Sequence, residues 1–415
     1  MTMDVDMSPK AAWGGDRDEV AEGNLHVLLL RLAGTLQDGL LTDLRGWLAE
    51  GRRRDVVQAL AFEAVSQPLQ LAADEINLLR VELIRAGADG DLAMALEELR
   101  GERPQPPWMF LSALSTDEDD ADPVAWPLDL TGEPPEHLDV VDRALVAEAS
   151  TVAGMRAVWR AWRMPSSARP WQQPVRIAVV SVDEEIAALP WLAVRLRQVM
   201  IEAGDGNAQV EVCWAGLDVP FYQTLARSCG ALLWASRPAA PITTARVFDG
   251  VDPVRGPWFT TNRPVVADDA ERDRLVTALR SAVVITWSSA EMADVLAPER
   301  GEVVPLHLRT DGTWVWSDAV AYYLENYGLA PDPDLAAHLS EPDAVEGLDE
   351  ISVHRTLAHL FDHRAGEVVW QPPHSGAAPL RPDTPSDAPA PPNPWRSDEQ
   401  AEADPDVGAE RPVRA

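Results

Sequence analysis

Three acids in a row, Asp183, Glu184 and Glu185, stand shortly after the apolar run Val175 to Val180. A layered α/β sheet takes its ligand at the carboxyl ends of its strands, so acids placed there are candidates for a metal site or a general base. They would repel a phosphate and no glycine-rich turn precedes them, which argues against a dinucleotide. Their commonplace alternative is to complement the dipole at a helix start. Ser288 and Ser289 occupy the equivalent place after a later run, Ala282 to Trp287. A hydroxyl there can bind an anion or act as a nucleophile. A nucleophile elbow, however, needs small glycine neighbours, which Trp287 and Ala290 do not supply, and capping of a following helix is the bland reading. Asp183, Glu184 and Ser288 are the catalytic candidates.

His354, His359 and His363 fall on one expected helix with Asp362. His359 and His363 are spaced i, i+4 and share a face, whereas His354 lies about 140° from His359 at about 100° per residue. A three-histidine site fails on that geometry. The pair alone, with a distant acid, is the candidate metal site, although the intervening glutamate of metalloproteases is missing. The alternative puts these histidines on a polar face, with Leu357, Leu360 and Phe361 toward the core. Sixteen tryptophans against six phenylalanines and four tyrosines form an unusual aromatic set. Trp214, Trp234 and Trp287 sit at or near the ends of expected strands, where they would form either a platform for a ligand or partner or the packing of the sheet's edge. Cys213 lies in a buried strand without a neighbouring base and is expected to be inert.

Composition excludes whole classes of activity. The chain has 415 residues with 67 acidic and 35 basic side chains, a formal net charge of −32. Such a surface repels phosphate backbones and anionic headgroups, so neither nucleic acid nor a membrane is expected as partner. The one run of three adjoining basic residues, Arg52 to Arg54, has Glu50 and Asp55 beside it and reads as a solvated face. Lys10 is the single lysine. Schiff-base chemistry, phosphate-loop hydrolysis and protein-kinase chemistry each need a lysine at a fixed place in the fold, and none is available. Cys213 and Cys229, the two cysteines, lack zinc-ribbon or dithiol spacing. A reducing compartment is the simpler expectation, and no export signal or membrane span is visible, so the chain is read as cytoplasmic with no cofactor.

The elements that would position these groups fall into an α/β fold with a separate all-α N-terminal domain. Residues 1–22 read as disordered. Residues 23–103 read as an all-α domain, with Leu41, Leu44, Trp47 and Leu48, then Val56, Val57, Leu60 and Ala61, then Ile76, Leu79, Val81 and Leu83 at helical spacing. Thr42 or Asp43 is the expected N-cap, and Gly51 and Gly87 the stops. Residues 104–136 read as an acidic, proline-containing linker, since ten acids and no arginine or lysine fall between Pro104 and Asp142, with Trp108 to Leu111 able to dock back on a domain. Residues 137–371 read as a layered α/β domain with a leading helix through Arg163 and a mostly parallel sheet. Its strands are expected at Val175 to Val180, Val210 to Ala215, Ala231 to Ala235 and Ala282 to Trp287, with helices at Glu185 to Ala203, Pro220 to Ser228 and Asp268 to Arg280. A two-residue Asp311-Gly312 turn closes a β-hairpin between Leu306 to Thr310 and Thr313 to Trp316. Ser317 then caps a helix that ends at Gly328, and short helices follow near Pro333 to Leu339 and Glu350 to His363. Residues 372–415, rich in proline, read as a disordered tail.

The block Arg309 to Trp316, continued by Asp318 to Leu324, resembles a segment of uncharacterised proteins from high-GC actinobacteria, and so does Leu41 to Ala64. That resemblance spans the ordered chain from about 25 to 365 and implies no activity and no catalytic residues. Hairpins similar to the tryptophan-bearing one accompany secretion and toxin-immunity systems, which implies an accessory role in such a system. The expected function is accordingly a cytoplasmic, non-enzymatic interaction or regulatory protein with a protein partner. The alternative is an α/β small-molecule binder or hydrolase-like enzyme with its site at the strand carboxyl ends.

Overall fold

The computed structural model describes residues 17–88, 90–103, 107–111, 128–132, 138–166, 173–183, 188–215, 218–252, 254–340 and 348–361. The expected disordered N-terminus up to residue 16, most of the acidic linker and the expected tail lie outside them, as do Glu184, Glu185, Asp362 and His363.

Five helices open the chain: α1 (Arg17–Arg31), α2 (Asp38–Ala49), α3 (Arg53–Ser66), α4 (Ala73–Arg85) and α5 (Gly90–Ala95). Leu25, Leu28, Leu29 and Leu32, Leu41, Leu44 and Leu48, and Ile76, Leu79 and Leu83 recur at steps of three and four and are buried, the stripe that makes an isolated helix seek a partner. Gly51 and Gly87 follow α2 and α4 in the left-handed region, as the spacing predicts. The N-cap of α2 is Gln37, however, not Thr42 or Asp43, which lie inside the helix.

The partner of these helices is a six-stranded sheet. Its elements run β1 (Trp108–Leu111), β2 (Leu128–Asp129), α6 (Val140–Ala149), β3 (Met155–Pro165), β4 (Val175–Val182), α7 (Leu189–Glu202), β5 (Gln209–Trp214), α8 (Phe221–Cys229) and β6 (Ala231–Ala235). The strand order is β2-β6-β3-β4-β5, with β1 also on β3. β4 and β5 are parallel, as are β2 and β6, but β3 runs antiparallel to β1, β4 and β6. The sheet is therefore mixed, which corrects the expectation of a mostly parallel one. The cause is β3, expected as part of a helix. Arg, Ala and Met favour helices, Val158 is its one β-branched residue, and Val158, Trp159, Ala161 and Trp162 also fit a helical stripe. Its pairing partners override that preference, placing Trp159 and Ala161 on one face and Val158 and Arg160 on the other.

One face of the sheet, with Ala157, Trp159, Ile177, Val179, Cys213 and Leu232, shares a single hydrophobic cluster with the leucines of α1 to α4 and with Tyr222 and Ala226 of α8. The opposite face, with Val158, Ala178, Val180, Val210 and Val212, packs on Leu145 of α6 and Leu192 and Leu196 of α7. The free edge of β5 is closed by hydrogen bonds. Ala215 N–H donates to Val182 O, so odd-numbered residues of β5 face β4 and the even-numbered carbonyls face outward. His26 Nε2 donates to Val212 O at 2.8 Å and Arg45 Nη1 to Val210 O at 2.9 Å. Arg45 also makes a two-pronged ion pair with Glu211, at 2.9 and 2.6 Å, and Gln223 Nε2 donates to the same carboxylate at 2.7 Å.

A second, four-stranded sheet has the order β10-β13-β14-β7, from β7 (Thr243–Thr244), β10 (Val283–Thr286), β13 (Leu308–Thr310) and β14 (Trp314–Ser317). β8 (Gly250–Asp252) and β9 (Gly256–Trp258) form a hairpin in a separate compact unit. α9 (Asp269–Ser281) precedes β10, and the hairpin β11 (Glu291–Ala293) and β12 (Glu302–Pro305) follows it. α10 (Asp318–Tyr327), α11 (Pro333–His338) and α12 (Glu350–Phe361) complete the described chain. Leu275, Leu279, Trp316, Val320, Leu324 and Leu335 fill the core beneath this sheet, and the Trp316 indole donates to Leu279 O at 3.1 Å. Ser317 caps α10 through Ala319 N–H, and Gly328 ends it at φ +69°. The β13–β14 connection is longer than the expected two residues. Thr310 pairs with Val315, leaving Asp311 to Trp314 as a four-residue loop in which Asp311 Oδ1 accepts from Thr313 N and Trp314 N. No helix among the described residues is long and apolar enough to cross a membrane.

Candidate functional site

The catalytic candidates stand on different sheets. Asp183 follows β4 in the six-stranded sheet and is paired with Arg156 at 3.3 Å. Ser288 follows β10 in the four-stranded sheet. It does not cap a helix, because β11 comes next. Its hydroxyl accepts from Ala290 N at 3.1 Å and lies 3.3 Å from Ala290 O, closing a tight local turn. Trp214 and Trp234 are half-buried against the α6–α7 side of the six-stranded sheet. Of the histidines, His359 is exposed and 3.3 Å from Thr244 Oγ1. His354, expected on a polar face, is instead buried. Its Nε2 donates to Leu128 O at 3.0 Å and its ring meets Trp159 edge to face, while Leu357, Leu360 and Phe361 are only half-buried. Burial above all, against the opposing bond to Leu128 and the charge of Asp129, lowers its pKa to about 4. Burial likewise drives the Cys213 thiol up to about 12, and both cysteines are free.

Trp287 differs from the other tryptophans singled out. Its side chain is 78 % exposed, directly after β10. The indole stacks on His307 with ring centroids 4.1 Å apart and planes at 23°. His307 Nδ1 accepts from Ser288 N–H at 3.1 Å, which leaves the proton of the neutral ring on Nε2 and fixes the imidazole plane. The His307 carbonyl in turn accepts from Asp318 N at the start of α10. One face of the indole is thus backed by a held ring, and an exposed aromatic of this kind costs hydrophobic free energy in the free protein.

The strand that carries Trp287 is an edge. Among the described residues β10 pairs only with β13, and no strand lies on its outer side. Val283 is 45 % exposed on it. Arg309 anchors the strand from beneath: Nη1 donates to Arg280 O and Ala282 O, each at 2.8 Å, while Nε pairs with Asp318 at 2.5 Å. The register shifts between Val284 and Thr286, making Ile285 a bulge, a feature that re-aims the side chains that follow. The supporting residues His307 and Arg309 were not candidates in the sequence. Their one sequence signal is position, on the strand next to a hairpin turn.

A cavity of about 170 Å³ lies along α12, lined by Leu128, Asp129, Ala239, Ile242, Arg355 and His359 among others. Its guanidinium is already committed: Arg355 donates to Asp129, Thr131 Oγ1, Arg237 O and Pro238 O. Among the described residues no group of three His, Cys, Asp or Glu side chains is placed to hold a metal ion. Comparison of the chain with protein-family models, with curated proteins and with solved structures returns no match.

Proposed function

We propose that this chain is a cytoplasmic, non-enzymatic interaction protein that docks an extended, cationic segment of a partner along the outer edge of β10. The observation that carries this reading is Trp287, largely exposed and stacked on His307 at the end of an edge strand. An open edge offers backbone donors and acceptors to an added strand, and its neighbouring side chains set specificity. An indole face attracts a guanidinium or ammonium group, more strongly as water is excluded. Net charge favours the same partner: −32 on the whole chain, with exposed Glu291 and Glu302 on the adjoining β-hairpin. The bulge at Ile285 restricts regular pairing to a few residues, which suits a short recognised motif. An accessory role in a secretion or toxin-immunity system is compatible with such a partner and rests on the resemblance of the β13–β14 hairpin alone.

The test uses seven-residue peptides in which β-branched residues alternate with Arg, Lys, Gln or Glu, titrated by calorimetry. Affinity for the unmodified protein should fall in that order, and Trp287→Ala should remove the preference of Arg over Lys and narrow the gap between the cationic and the Gln peptides, leaving the step that net charge alone produces. A flat ranking on the unmodified protein, or one whose steps are unchanged by Trp287→Ala, contradicts the proposal.

A further inference from the structure

Where an α/β sheet ordinarily takes a ligand, this chain places one of its own helices. β4 and β6 end at Val182 and Ala235, and β3, running the other way, begins beside them at Met155. Arg156 at the start of β3 and Arg237, two residues past β6, therefore lie together at this end of the sheet, and both guanidiniums converge on Asp349, the residue just before α12. Arg156 Nη2 lies 3.2 Å from Asp349 Oδ2, and Arg237 pairs with the same oxygen. The next residue repeats the pattern: Ser181 Oγ donates to Glu350 Oε1 at 2.7 Å, and Arg156 Nε lies 3.4 Å from it. The Ser181 hydroxyl belongs to a residue only 2 % exposed, near the end of a strand whose other side chains, Arg176 apart, are apolar.

We propose that this end of the sheet is a carboxylate-recognition site for the acidic start of a helix, held in this chain by α12 and open to displacement by an acidic helical segment of a partner. Three observations favour exchange over permanent packing. The grip on α12 is mostly polar: of its buried side chains, Ile351 and Ala358 are apolar, whereas His354, Arg355 and Thr356 are not. Arg237 is 58 % exposed at its side chain, so water and an incoming carboxylate reach the pair from outside. Pairs of that exposure are individually weak, and one carboxylate replaces another at little net cost. The cavity of about 170 Å³ along the second half of α12 marks a place where helix and sheet do not interlock. The tethered helix has the advantage of a high effective concentration, so a competitor needs more than the two carboxylates, and the cavity is where it would gain contact.

A labelled peptide of residues 348–361 tests this in trans. It should bind the full chain carrying Asp349→Asn and Glu350→Gln at least tenfold more tightly than the unmodified chain, and a peptide with the same two substitutions should bind neither. A folded double variant that takes the native peptide no better than the unmodified chain overturns the proposal. Hydrogen exchange on the unmodified chain gives an independent reading. The amides of α12 should open before those of α7 and exchange faster when the peptide is present. Exchange of α12 only with global unfolding, indifferent to the peptide, also overturns it.

Discussion

Acidification below neutrality should destabilise this protein through two buried histidines. His26 and His354 are both fully buried and both neutral at pH 7, with pKa values lowered from 6.5 to about 4. For His26 the cause is burial first, opposed by its bond to Val212 O and assisted by the nearby Arg45 charge. Its Nε2 donates to that carbonyl, and its Nδ1 has no partner. In the unfolded chain each imidazole takes up a proton near pH 6.5, but in the folded chain only near pH 4. Between those values the unfolded state holds more protons, so stability falls as the pH is lowered, by up to about 1.4 kcal/mol per pH unit for each residue. From about pH 7.5 to about pH 4.5 the loss is between about 2 and 3 kcal/mol each, or about 5 kcal/mol together, a large share of the roughly 5–15 kcal/mol typical of a folded domain. Asp139, Asp294 and Asp349 have lowered pKa values, so their contribution survives to still lower pH. The Asp142 carboxyl, raised by burial against the opposing charges of Arg160 and Arg176, works slightly the other way on acidification. Urea melts at half-unit pH steps would measure the slope. His26→Gln with His354→Gln should be less stable at pH 8 yet much flatter below pH 6.5. A stability independent of pH between about 7 and 5 in the unmodified protein, or an unchanged slope in the double variant, would refute the reasoning.

Other perturbations have outcomes fixed by single contacts. Gly312→Val should destabilise by about 1–3 kcal/mol, because its φ of +95° strains any β-branched residue and an added Cβ would come 2.7 Å from Leu348 Cδ2; an unchanged melt would exclude the loop geometry. Glu211→Gln leaves the Arg45 charge buried without its carboxylate and should cost about 3–5 kcal/mol by denaturant melt, more than replacing both by well-packed apolar residues. Cys213 and Cys229, with thiols pushed up to about 12 and about 11 by burial, should resist iodoacetamide at pH 8 until the chain unfolds, as read by mass spectrometry.

Local patterns carried much of the architecture. The strand at Ala231 to Ala235, the helix capped by Asp268, and α10 between Ser317 and Gly328 fall where apolar runs, caps and a left-handed glycine put them. β3 was illegible because its composition favours a helix and its strand state depends on partners distant in sequence. The closing of the β5 edge was equally hidden: Arg45 and Glu211 are 166 residues apart, His26 and Val212 are 186, and nothing local marks either as a partner. His354 shows the limit of helical arithmetic, which places residues on faces but does not say which face the rest of the chain covers. Trp287 was noticed for its type and its place after a strand. Its neighbours His307 and Arg309, which hold the strand and the ring, became visible only through the pairing of β10 with β13.

Hydrogen exchange across β10 tests the docking of a cationic strand most directly. With the arginine-alternating peptide at saturation, the slowed amides should be those within Val283 to Thr286 that point away from β13, together with a perturbed Trp287 indole N–H. Protection confined to any other element, or no change at β10 while the peptide is bound, would contradict it.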